Sequence, residues 1–277
     1  MRILAIETAT SLGGVALVED EKLLAEYRMD MTMAHAERLM VMVDHVLKDG
    51  GWTLDDLDAL AVSIGPGSFT GLRVAVSTVK GLVTGKPIPV AAVPTLEAMA
   101  WTVPAGRYTI CPMMDAKKRE VYAGLFSSEG DGMLKRVMED QIISPEVLCE
   151  RLCAPASPPT VFLGDGASQY REILEKPLGR RAVFVPAPLS LPLPSMVAWL
   201  GLRKLQRGEA ADARSLVPVY IRRPDAEVNW EKGVTHKKLN LKRNRNQPSE
   251  HGEREGEAPS GLAGGGGDAS PYKPKRR

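Results

Sequence analysis

Between residues 60 and 82 the chain leaves a short apolar strand, Leu60–Ile64, crosses a turn built of two glycines and a proline, and enters an amphipathic helix. The turn is the decapeptide Ile64–Arg73, IGPGSFTGLR. Gly65 and Gly67 permit positive φ and the close approach of another backbone, and Pro66 stiffens the bend between them. Ser68 or Thr70 can cap the helix that follows. A strand that runs straight into a helix, and from there into the next strand, Ile88–Val93, is a crossover unit, which commits the chain to an α/β layout. The free N–H groups at such a helix start attract anions, and Arg73 lies one turn in. Two readings stay open on these residues: a phosphate-proximal turn, and a tight structural turn. The GK[ST] of a P-loop and the third glycine of a dinucleotide fingerprint are both missing.

The elements around this unit set an order. Ile3, Ala5 and Glu7 alternate with Leu4, Ile6 and Thr8, and Val15–Val18 and Leu23–Tyr27 follow after short polar breaks, which predicts a three-stranded antiparallel meander. A helix is expected from Ala36 to Lys48, with Leu39, Met40, Val43, Val46 and Leu47 at steps of three and four. Thr53 can cap a short turn from Leu54, with Asp56 three residues on. In the helix after the glycine turn, Val74, Ser77, Thr78, Gly81 and Leu82 share one face; another helix opens at Thr95. A second round begins near Arg107. It has paired strands Tyr108–Met114 and Glu120–Phe126, a third over Leu134–Gln141, a helix after Ser144-Pro145, a strand Val161–Leu163, and helices Ala167–Glu175 and Ser195–Gln206. The expected organisation is a first lobe over 1–104, a reduced second lobe over 105–228, and a disordered basic, Gly-rich tail over 229–277.

That tail carries most of the charge asymmetry. The net charge of the 277 residues is +2, but residues 229–277 hold 11 Lys/Arg against 6 Asp/Glu, leaving the body mildly acidic. A polar, Gly-rich segment of this kind cannot bury enough apolar surface to offset its conformational entropy. Its cations leave RNA contact open beside the plainer reading of a solvated extension. Apolar residues make up 44% of the chain and aromatics only 5%, so Leu, Val, Ala and Met must fill the core. Three cysteines, Cys111, Cys149 and Cys153, are too few and too odd a set for a disulfide framework, and no second pair stands by to make zinc binding plausible. MRILAIETAT does not read as a signal peptide, and no run of about 20 apolar residues is present to span a bilayer. A cytoplasmic protein with no membrane association is expected.

The string GPGSFTGLR resembles the signature of the TsaB (YeaZ) family almost letter for letter. Ile3–Leu17, ILAIETATSLGGVAL, is similar to that family's first hairpin, and His35-Ala36-Glu37-Arg38-Leu39 to its H-[SA]-E-x-L helix start. Asp115-Ala116-Lys117 followed by Glu120-Val121-Tyr122 looks like its D-A-R…E-V-Y turn, with Lys117 where arginine is usual, and Gly164-Asp165-Gly166-Ala167 matches its G-D-G-A. The likeness runs in order over roughly residues 1–225.

The resemblance implies the two-lobed ASKHA fold of actin, Hsp70 and the sugar kinases, here with a degenerate second lobe. In such folds the first hairpin often holds a phosphate. That makes Glu7, Thr8, Thr10 and Ser11, with Gly65, Gly67, Ser68, Thr70 and Arg73, the candidate nucleotide-proximal set, against the plain alternative of an ordinary threonine-rich hairpin. The resemblance also implies a non-catalytic scaffold for the transferase TsaD in forming N6-threonylcarbamoyladenosine at position 37 of tRNAs reading ANN codons. A TsaE-like ATPase would join, tRNA would be met through the complex, ATP or ADP is a candidate at the shared interface, and a homodimer is the alternative when the chain is alone. The candidate partner-facing residues are Leu39, Met40, Val43, Val46, Leu47, Val74, Ser77 and Thr78, near a methionine cluster (Met29, Met31, Met33, Met40, Met42) that suits either core or interface. TsaD itself carries an H-x-x-x-H metal pair; here Met31 and Leu39 stand four residues either side of His35, His45 is ten away, and His236 and His251 lie in the tail. No metal site and no catalytic set is expected. The rival readings are a stand-alone ASKHA ATPase or small-molecule kinase, and an RNA-binding protein acting through its tail.

Overall fold

A computed structural model describes residues 1–30, 35–86, 88–129, 132–154 and 157–222, with the side chains of residues 35 and 36 excepted. Residues 1–228 form one compact unit. The expectation for 229–277 lies outside the described residues, as do those for Met31 and Met33.

Two five-stranded sheets repeat one plan. In the first, β1 (Arg2–Glu7), β2 (Leu12–Glu19) and β3 (Lys22–Asp30) form the antiparallel meander, and β4 (Ala59–Gly65) and β5 (Val90–Pro94) run parallel to β1, giving the order β3-β2-β1-β4-β5. β1 is central, so it is covered on both faces and reads as the unbroken apolar run Ile3–Ile6. In the second, β6 (Arg107–Asp115), β7 (Val121–Glu129) and β8 (Leu134–Ile143) are the meander, with β9 (Thr160–Leu163) and β10 (Ala182–Phe184) added on the other side of β6. The order β10-β9-β6-β7-β8 is the first sheet's order again.

The helices cover these sheets. α1 (His35–Gly50) and α2 (Phe69–Leu82) bury Leu39, Val43, Val46, Ala75 and Val79 on one face of the first sheet. α3 (Thr95–Ala100) follows β5. α4 (Pro145–Leu152), capped by Ser144 with Pro145 at its first position, packs with α5 (Asp165–Gln169) and α6 (Arg171–Leu178) in the core of the second sheet. The expected single helix over Ala167–Glu175 is divided at Tyr170, whose φ of −107° and ψ of 22° leave the helical region. Thr53 makes the capping box with Asp56.

α7 (Pro194–Gln206) departs from the division at residue 104. It lies on the open face of the first sheet, where Val197, Ala198, Leu200 and Leu202 meet Ile3, Ala5, Ala59, Ala61 and Ala91. The sheet face is alanine-rich because the helix comes close: a Cβ on Gly201 would stand 2.6 Å from the Ala61 Cβ. Trp101 and Trp199 meet at 5.0 Å between ring centroids where α3 reaches α7. A further cluster, with Leu72, Leu96 and Met99 from the first half and Ile110, Met114 and Phe126 from the second, makes the core continuous between the two sheets. Among the described residues no helix is long and apolar enough to cross a membrane.

Candidate functional site

The glycine turn is where three remote stretches of backbone converge. Gly65 (φ 114°) and Gly67 (φ 159°) carry the chain from β4 to α2. A Cβ on Gly65 would stand 2.7 Å from the Val219 carbonyl oxygen, one on Gly67 2.5 Å from that of Ala9, and one on Gly71 2.0 Å from that of Thr8. No side chain fits in any of these gaps, which accounts for all three glycines without a ligand. The Ser68 N–H donates to the Ala9 carbonyl at 2.7 Å, its Oγ caps α2 by accepting from the Gly71 N–H at 3.2 Å, and the Thr8 hydroxyl donates to the Gly71 carbonyl at 2.8 Å. The hairpin after β1 and the start of α2 are thereby locked together.

Beside this junction a cleft of about 650 Å³ opens between the two halves. Thr10, Gly67 and Ser68 line one side, Asp115, Lys117 and Asp165 the other. Asp165 Oδ1 accepts from the Asp115 and Gly166 N–H groups at 3.0 and 2.9 Å. The Lys117 ammonium bonds Asp115 Oδ2 at 2.6 Å, and that contact holds its pKa above the usual lysine range. Lys117, Lys118 and Arg119 are three consecutive residues with left-handed φ, 62°, 57° and 61°. Left-handed L-residues normally occur singly.

The nucleotide-proximal set is only partly assembled here. Thr10, Gly67 and Ser68 line the cleft together, with Ser11 at its rim. Thr8 is buried and spent on the Gly71 carbonyl, Gly65 faces Val219, and Thr70 is exposed on α2. Glu7 is sealed inside: one oxygen accepts from the Ala9 N–H at 2.7 Å and the Ser63 hydroxyl at 3.0 Å, while Oε2 has no hydrogen-bond partner among the described residues. Burial raises its pKa to about 7, against the lowering pull of those bonds and of the Arg28 charge. Arg73 does not line the cleft. Its guanidinium lies 3.9 Å from the Phe69 ring centroid, and its Nε donates to the Tyr220 hydroxyl at 3.0 Å. Tyr220 and Arg222, which do line the cleft, carry no sequence signal, because their contacts lie more than a hundred residues away in the chain.

The partner-facing set divides differently. Leu39, Val43, Val46 and Leu47 are 0%, 2%, 0% and 7% exposed and belong to the core of the first sheet, so they cannot meet a partner. A helix face regular enough to read from sequence is the face the sheet takes. Met40, at 46%, faces outward, as do Met29 at 40%, one of the methionines that suited either core or interface, and Val41 at 54%, which the periodicity passed over. Ser77 is exposed and Val74 and Thr78 half-buried on α2, opposite its inward Ala75, Val76 and Val79. Between β3 and α1 lies a groove of about 430 Å³ lined by Tyr27, Met29, Arg38, Val41, Met42 and His45.

A family model described as "TsaD: tRNA N6-adenosine threonylcarbamoyltransferase" matches residues 29–230. The tRNA threonylcarbamoyladenosine biosynthesis protein TsaB of Bacillus subtilis (strain 168) is 36% identical over 233 residues, covering 83% of this chain and 98% of that protein. This chain belongs to the TsaB family. The TsaB of Escherichia coli (strain K12) is 30% identical over 237 residues, 84% of this chain and 98% of its own length. The solved structure of YeaZ from Pseudomonas aeruginosa superposes with a TM-score of 0.66 at 30% identity, covering 79% of this chain and 99% of that one. These relatives are covered almost end to end, and residues beyond 230 lie outside the family match. The two rounds expected from the sequence, each opening with an antiparallel meander, are the ones observed, on a fold shared with the YeaZ structure.

Proposed function

We propose that this chain is the non-catalytic companion of a TsaD-like transferase in forming threonylcarbamoyladenosine at position 37 of tRNAs reading ANN codons. Family membership supports a part in tRNA threonylcarbamoyladenosine biosynthesis. The observation that carries the companion role is the band of apolar side chains left outside after the core is filled. Met29 and Val41 line the β3–α1 groove and Met40 stands exposed on the same helix as Val41, while the outer face of α2 carries Val74, Ser77 and Thr78. Flexible methionines at a groove suit a helix-on-helix contact. A TsaE-like ATPase joins the pair, tRNA is met through the complex, and the proposal sets the work in the cytoplasm. Thr10, Gly67 and Ser68 remain the candidate phosphate contacts.

The test is light scattering after size exclusion of the chain mixed with the TsaD-like protein of the same cell. A heteromeric peak is expected, and Val41→Asp or Met40→Asp should remove it, with the folded chain still eluting at its own mass or as a homodimer broken by the same changes. Two separate peaks at micromolar concentration from the unaltered proteins would overturn the companion role. A mixed peak indifferent to both changes would move the docking face elsewhere.

A further inference from the structure

The chain after α7 passes back over both halves. Leu216 is buried in the core of the first sheet. From there the segment passes over the glycine turn, where the Val219 N–H donates to the Ile64 carbonyl at 2.7 Å. Tyr220 lies 4.9 Å from the Phe69 ring centroid and takes the Arg73 hydrogen bond, so these contacts fix the strap to the start of α2. Two residues later Arg222 reaches the second half. It donates to the Ala116 carbonyl and pairs with the Glu120 carboxylate.

Ala116 and Glu120 are the two flanks of the left-handed turn Lys117-Lys118-Arg119. The turn has its own bonds: the Ala116 N–H to the Glu120 carbonyl at 2.9 Å, the Glu120 N–H to the Lys117 carbonyl at 3.1 Å, and the Lys117 N–H to Asp115 Oδ1 at 2.9 Å. Three successive left-handed residues with side chains are costly, and such backbone persists only where its surroundings over-determine it. The guanidinium of Arg222 supplies that surplus restraint by gripping both flanks at once. Its grip is releasable, because the Glu120 side chain is 40% exposed and a half-solvated ion pair is weakly held.

We propose that Leu216–Arg222 is an interlobe latch, with Arg222 the pin that holds the left-handed basic turn in place and ties the second half to the start of α2. With the pin engaged, two of the cations lining the cleft are matched within the chain, Lys117 by Asp115 and Arg222 by Glu120. With the pin released, the turn relaxes toward right-handed backbone and the tether between the halves at the cleft is lost, while each sheet keeps its own core.

Amide hydrogen exchange on the full-length chain tests this, comparing the unaltered protein with Arg222→Ala, Glu120→Gln and the charge-swapped pair Glu120→Arg with Arg222→Glu. Peptides spanning Asp115–Val121 should exchange at least tenfold faster in both single variants, with β1 and β4 unchanged. The swapped pair should recover part of that protection, since it restores the ion pair but not the bond to Ala116. Unchanged exchange at the turn in both single variants overturns the latch, for the turn would then be self-supporting. An equal rise in β1 and β4 also overturns it, for Arg222 would then serve global stability alone. Should Arg222→Ala fail to fold, Glu120→Gln decides the matter.

Discussion

Glu7 ends β1 in register with Gly14 of β2, which is in turn opposite Arg28 of β3. A Cβ on Gly14 would stand 2.3 Å from the Tyr27 carbonyl oxygen and 2.9 Å from the Pro194 Cγ, with the Arg28 Cγ next at 3.1 Å. The carboxyl group is thus within the field of Arg28 but not paired with it, and desolvation dominates. A folded-state pKa of about 7, against 4.5 for the unperturbed acid, means that the folded protein holds this proton more tightly than the unfolded chain. The sign follows from proton counting: between those two values the folded state binds more protons, so stability falls as pH rises through that window. The loss is on the order of 3 kcal/mol. Chemical denaturation of the unaltered protein at pH 5 and pH 8 should show that decline, and Glu7→Gln should remove most of it. Parallel profiles for the two proteins would mean that Glu7 does not carry it. Its place in a conspicuous hairpin was legible in the sequence. That it faces inward was not, because a carboxylate on a strand ordinarily reads as the polar side of the pleat.

At the scale of the element, periodicity located the helices and then misassigned their duties. Leu39, Val43, Val46 and Leu47 form the apolar stripe of α1, and a stripe that regular packs on its own sheet before it can serve a partner. Of the residues read on that stripe Met40 alone faces outward, next to Val41, which the stripe leaves out. Glycines in helices show the same dependence on remote partners. Gly201 in α7 lies where a Cβ would meet those of Ala61 and Ala91 at 2.6 and 3.3 Å, whereas a Cβ on Gly81 in α2 would meet nothing within 4 Å. Gly201→Ala should therefore cost about 2 kcal/mol through forced separation of helix and sheet. Gly81→Ala should stabilise the chain by about 0.5–1 kcal/mol, by restricting the unfolded backbone. Thermal unfolding of the two variants should move in opposite directions. Equal shifts would show that α7 has slack against the alanine face. Sequence alone ranks these two glycines together, as helix-weakening residues on an apolar pattern.

Over the whole molecule, the order of strands and helices was legible, apart from the three-residue β10 that the reading did not place, because each step is local: a meander, a crossover, a cap. The way the chain closes was not, because it is decided by contacts between its ends. α7 completes the first sheet from the far side of the second, and α3 leans the other way, with Leu96 and Met99 in the cluster that holds Ile110 and Phe126. A boundary at residue 104 marks a change of sheet along the chain, but not a line along which the body can be cut. A fragment of residues 1–104 should fail to fold as a unit: it would bind a hydrophobic dye and lack a cooperative thermal transition, while the chain truncated at residue 222 should melt cooperatively. Cooperative melting of the short fragment would show that the first sheet needs no cover from α7.

The position of α7 also bears on the order in which the protein can be made. The first sheet's last strand, β5, ends at Pro94, yet the helix that covers its alanine face ends at Gln206. At a synthesis rate of about 5–20 residues per second, that face waits roughly 5–20 s for its cover. Throughout that interval the nascent chain presents a strip of Ile3, Ala5, Ala61 and Val93 to its surroundings. Small side chains limit how much apolar area those residues put on show while the second half is still being translated, but until α7 exists they have no cover of their own.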